Sequence, residues 1–68
     1  MLSLIHLQLL PLQERARYIQ DYGNLVESRT EGDYSSNLYW MNEYYAEIVL
    51  NNAAGRVEEV LLKESLDK

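Results

Sequence analysis

The 68-residue chain is expected to fold as α+β, with an N-terminal helix packed on a four-stranded antiparallel meander sheet. Apolar residues recur at helical spacing as far as Tyr22, and after Gly23 the pattern changes to a period of two. Gly32, Asn42-Glu43 and Gly55 then cut the remainder into four short runs. Connections this short make successive strands antiparallel neighbours.

Residues 1–10 form an apolar N-terminal segment with two readings. Ile5, Leu7 and Leu9 alternate with His6 and Gln8, as in a strand. Leu2, Ile5, Leu9, Leu12, Ala16 and Ile19 instead make a helical stripe at spacings of three and four. A helix that starts after Ser3 and bends at Pro11 accommodates both patterns and is the favoured expectation. Residues 11–22 are the clearest helix. Pro11 suits a first helical position, and Leu12 to Gln20 is rich in helix formers. Leu12, Ala16, Ile19 and Gly23 share one face, flanked by Tyr18 and Tyr22, and Gly23 is expected to end the helix in a left-handed conformation.

The sheet is assigned to residues 24–64 of a single domain spanning 1–68. Its expected strands are Leu25–Glu31, Ser36–Met41, Tyr44–Asn51 and Arg56–Glu64. Gly32-Asp33 reads as a turn, and Asn52-Ala53-Ala54-Gly55 as a hairpin loop in which Gly55 takes positive φ. Ser65-Leu66-Asp67-Lys68 reads as a helix start cut short, or a fraying tail.

Composition narrows the function. A domain this small buries only about 60% of the surface of its unfolded chain and is marginal without a staple. Cysteine is absent, which removes disulfides and thiolate zinc sites together. One histidine builds no metal cluster, so no cofactor or metal is expected, and self-association is the staple left. No apolar run approaches the roughly 18 residues of a membrane helix. The opening segment has neither a cationic start nor a small-residue cleavage site, so a signal peptide is not expected and the cytoplasm is the default location.

The net charge of −5 is uneven. Arg15, Arg17 and Arg29 balance Glu14, Asp21 and Glu27 in the first thirty residues. Beyond them Arg56, Lys63 and Lys68 face Glu31, Asp33, Glu43, Glu47, Glu58, Glu59, Glu64 and Asp67. An acidic chain repels polyanions, which argues against nucleic-acid binding. The acidic half either keeps a sheet face soluble or attracts a basic protein partner.

Motifs for catalysis are missing from the sequence: there is no phosphate loop, nucleophile elbow or cysteine pair. His6 has no orienting partner or nucleophile beside it in sequence, so an enzyme is not expected. Glu58 and Glu59 are adjacent on a strand and point to opposite faces, so they form no carboxylate dyad. Glu47 meets one of them only in some registers. Arg29 and Arg56 are expected to pair with neighbouring glutamates. Tyr34, Tyr39, Trp40, Tyr44 and Tyr45 put five aromatics within twelve residues. Stacking on bases needs a cationic groove, yet residues 30–55 hold no Lys or Arg, so the cluster is expected in the core or at a protein interface, with a small ligand or sugar as the remaining alternative.

The decisive pattern is apolar character on both sheet faces. Tyr44, Ala46, Ile48 and Leu50 share one face of the third strand, while Tyr45 and Val49 lie on the other; Val60-Leu61-Leu62 likewise covers both. A sheet with one wet face alternates cleanly, and one helix shields only one side. The expectation is a small non-enzymatic protein-interaction module that self-associates, with a dimer as the simplest assembly. Its interface residues are Tyr39, Trp40, Tyr45 and Val49, with Leu4 and Leu7 as additional contacts. The alternative is an acidic inhibitor or antitoxin-like subunit that docks a basic partner.

Between residues 12 and 63, Arg15, Gly23-Asn24-Leu25-Val26-Glu27-Ser28-Arg29, Asn37-Leu38-Tyr39-Trp40-Met41, Tyr44-Tyr45-Ala46-Glu47-Ile48-Val49 and Arg56-Val57-Glu58-Glu59-Val60 follow one another. This order resembles that of short bacterial α+β proteins of uncharacterised function. The apolar extension Leu2–Leu10 is not part of that pattern. The resemblance implies a fold and carries no activity.

Overall fold

The computed structural model describes residues 2–65. Two short helices, α1 (Leu4–Gln8) and α2 (Leu12–Tyr22), precede four strands, β1 (Asn24–Glu31), β2 (Tyr34–Trp40), β3 (Tyr45–Asn51) and β4 (Arg56–Lys63). The strands form one antiparallel sheet in the order β1-β2-β3-β4. The α+β class and the meander are as expected, but the sheet predominates and the helical part is divided in two. Of the helix start expected at Ser65–Lys68, residues 66–68 lie outside the described residues.

The division at Pro11 has a chemical cause. Proline has no N–H to continue the ladder and disfavours helical backbone in the residue before it. The chain tightens after α1 instead: Leu9 N–H donates to the His6 carbonyl and Leu10 N–H to the Leu7 carbonyl, both at 3.1 Å. The Arg15 guanidinium donates to the freed carbonyls of Gln8 and Leu10 at 3.0 and 2.9 Å. Pro11 is the N-cap of α2 rather than its first helical residue. At the other end Gly23 is extended, with φ −85° and ψ 162°, and not left-handed as expected. Its missing side chain matters for space: a Cβ there would lie 2.7 Å from the Ile19 carbonyl oxygen and from Met41 Sδ.

The break also rotates α1 away from the expected stripe. Ile5 and Leu9 point outward, at 70% and 77% exposure, whereas Leu7 is fully buried. Leu2, Leu4 and Leu10 pack against the core. The inward face of α1 is therefore Leu4 and Leu7, one turn apart. Two tyrosines fasten this segment: Leu2 N–H donates to Tyr18 Oη at 2.6 Å, and Tyr44 Oη donates to the Leu2 carbonyl at 2.9 Å. Both helices thus lie on the same side of the sheet. The core between them and the sheet is Leu7, Ala16, Ile19, Met41, Tyr44, Ala46, Ile48 and Val60.

Two bulges decide which strand residues join that core. In β1 the pairing steps from Leu25 opposite Tyr39 to Glu27 opposite Leu38, leaving Val26 extra. In β4 it steps from Val57 opposite Leu50 to Glu59 opposite Val49, leaving Glu58 extra. Because side chains alternate along a strand, each bulge exchanges faces for everything beyond it. Val57 thereby shares the helix side with Val60 and Leu62, while Glu59, Leu61 and Lys63 share the opposite side. Near β1 the helix side becomes a polar ladder in which Ser28 donates to Asn37, Thr30 meets Ser35 at 3.2 Å, and Asn52 donates to Ser35 at 2.7 Å.

Candidate functional site

The face of the sheet turned away from both helices is the candidate site. Cross-strand partners share a face, so the ladder sets its rows. Trp40, Tyr45 and Lys63 form the first, and Glu27, Leu38, Glu47 and Leu61 the second. Arg29, Ser36, Val49 and Glu59 follow, then Glu31, Tyr34, Asn51 and Arg56. This face holds a hollow of about 610 Å³ bounded by Glu27, Arg29, Ser36, Leu38, Glu47 and Val49 among others.

The apolar members are Leu38, Trp40, Tyr45, Val49 and Leu61, and each is half-buried. Trp40 and Tyr45 are direct cross-strand partners with ring centroids 4.7 Å apart at an interplanar angle of 50°. They shield each other, yet their outer surfaces meet no described element.

At the centre of the face lies Glu47, which is opposite Leu61 and is not a direct cross-strand partner of Glu58 or Glu59. Its carboxylate accepts from Lys63 Nζ at 2.8 Å and from the Ser36 hydroxyl. These two donors hold its carboxyl below the usual range, more than offsetting partial burial, with Arg29 adding a smaller attraction. Around the rim the expected pairs form: Arg29 Nε with Glu27 at 2.6 Å, and Arg56 Nε with Glu58 at 2.9 Å. Seven charged groups thus share the open face, and most have a partner already.

The sequence-predicted interface residues fall in three places. Trp40, Tyr45 and Val49 share the open face. Tyr39 lies opposite buried Ala46 on the helix side and packs against the core. Leu4 packs there too, and Leu7 has no exposed surface with which to touch another molecule. Sequence reasoning missed Leu38 and Leu61 as companions of Trp40 and Tyr45, and missed the Glu47–Lys63 pair. Alternation from Trp40 pointed to Leu38. Lys63 was hidden because its face depends on the bulge at Glu58.

The Nδ1 of exposed His6 lies 3.0 Å from Ser3 Oγ, which also accepts from the His6 N–H at 3.3 Å. Ser3 is the N-cap of α1, so this is a capping contact. Among the described residues no three His, Asp or Glu groups gather to hold a metal ion. No described helix is long and apolar enough to cross a membrane. No family model, curated protein or solved structure matches the chain.

Proposed function

We propose that the chain is a protein-interaction module that self-associates through its open sheet face, in the simplest case as a dimer. One observation carries the reading. Leu38, Trp40, Tyr45, Val49 and Leu61 lie on the face opposite both helices, and no described element covers them. Aromatic groups in a half-buried apolar stripe are the residues that dominate protein interfaces. The polar groups beside them support association as well. Glu47, Glu27 and Glu58 are already paired with Lys63, Arg29 and Arg56, so covering them strands few lone charges.

The docking of a basic protein has less support, because Glu47 and Glu58 are neutralised within the chain. Salt separates the two readings. Self-association through apolar groups persists at high ionic strength, whereas a complex held by unlike net charges weakens as salt rises. Tyr45→Arg places a cation in the middle of the stripe. The wild type is expected to exceed the 8.0 kDa chain mass at high concentration, and the variant to show a lower mass than the wild type at the same concentration while keeping its circular dichroism.

A further inference from the structure

We propose that β1 is a second interface, on which another copy of the chain adds its own β1 antiparallel and joins the two sheets edge to edge. β1 is the first strand of the sheet, and among the described residues nothing pairs with its outer edge. All eight of its residues are exposed, including Leu25 at 58% and Val26 at 52%, and α2 packs toward the far edge, on β4. Edge strands are ordinarily protected by proline, lysine, a β-bulge or a cover, and of these β1 has only the bulge at Val26, which leaves Glu27 to Glu31 beyond it regular. The sequence Asn24–Glu31 has neither proline nor lysine.

Its charges name the occupant. Glu27, Arg29 and Glu31 alternate along the open face of β1. Two copies related by a two-fold axis through Ser28 bring Glu27 of each opposite Arg29 of the other, while Val26 meets Thr30. The strand is therefore complementary to itself. A two-fold axis at Glu27 or Arg29 places like charges face to face, which disfavours those registers. An axis at Thr30 also opposes Arg29 and Glu31, but the ladder then reaches Gly32, where φ is +62° and the chain turns, after one residue. Centring on Ser28 keeps Glu27 to Arg29 in regular pairing, clear of both the bulge at Val26 and the turn at Gly32. The Arg29 guanidinium, 78% exposed and now bonded to Glu27 of its own strand, has only to turn to the Glu27 beside it in the second copy. The product is a continuous eight-stranded sheet. Glu27 and Arg29 also border the open face, so Tyr45→Arg, which alters only the apolar stripe, serves to separate the two interfaces.

Two single variants with opposite charges test the pairing. Arg29→Glu puts glutamate at both 27 and 29 of each strand, and Glu27→Arg puts arginine at both. Each alone is expected to lose the edge contact, shown by at least a tenfold weaker association in sedimentation. An equimolar mixture places unlike charges opposite at both positions and is expected to restore association as a one-to-one hetero-complex by native mass spectrometry. Loss of the pair within one strand does not produce that rescue. The wild type gives a second readout, since the outward amides of Val26 to Thr30 are expected to gain hydrogen-exchange protection as concentration rises. Single variants that associate like the wild type, a mixture without hetero-complex, or β1 protection independent of concentration each overturn the proposal. Tyr45→Arg, which alters the open face alone, is expected to leave the rescue intact.

Discussion

At Gly23 a Cβ would lie 2.7 Å from two atoms and 3.0 Å from Tyr39 Cβ, although the backbone there is open to any residue. Gly55 is the reverse case, with φ +68° and nothing within 4 Å of its would-be Cβ. Gly23→Ala is therefore expected to cost about 1–3 kcal/mol through overpacking. Gly55→Ala is expected to cost about 1 kcal/mol through backbone strain alone. Urea unfolding of the two variants measures both. Glu47 gives a pH prediction. Its folded carboxyl is held low by Lys63 and Ser36, so the stabilisation is complete above the ordinary carboxylate range and is lost as pH falls through the lowered value. Stability is expected to decline on acidification more steeply in the wild type than in Glu47→Gln, as read from denaturation midpoints across the acid range.

The α1–α2 unit depends on Arg15, which holds the carbonyls of Gln8 and Leu10 that Pro11 leaves without partners. Arg15→Ala is expected to cost about 1.5–3 kcal/mol, the range for hydrogen bonds made by a charged group, and to speed exchange of the α1 amides before the sheet is affected. Among the elements, the four strands were legible because alternation and three turn signals bounded them. The expected edges differ from the structure by at most two residues. The N-terminal segment was legible only as a helix. Its stripe through Ile5 and Leu9 expected a bend at Pro11 but a helix continuous through it, whereas the break there turned those residues outward and Leu4 and Leu7 inward. The bulges at Val26 and Glu58 were not legible, since an extra residue moves half a strand to the other face without altering composition or spacing. From the sequence only Tyr45 and Val49 could be assigned to one face; the expected interface groups Trp40 with Tyr39, which the structure places on the helix side, and Lys63 could not be placed.

In the whole molecule, a layer of helices covers one side of a sheet whose other side is half apolar. With a core of eight well-buried residues, the domain has little stability in reserve, and covering the open face would supplement it. Trp40 is half-buried, so Trp40→Ala is expected to fall short of the 3–5 kcal/mol typical of a fully buried aromatic, costing the isolated chain about 1–2 kcal/mol. Its larger effect is expected on assembly, and chemical unfolding at low and high protein concentration separates the two contributions.

Solution mass by light scattering across concentration, for the wild type beside Tyr45→Arg, tests the open face as a self-association surface. A wild-type mass rising above 8.0 kDa, with the variant lower at every concentration and the difference between the two insensitive to salt, is the predicted result. A wild type that stays at the single-chain mass throughout, or a variant that assembles equally well, would contradict it.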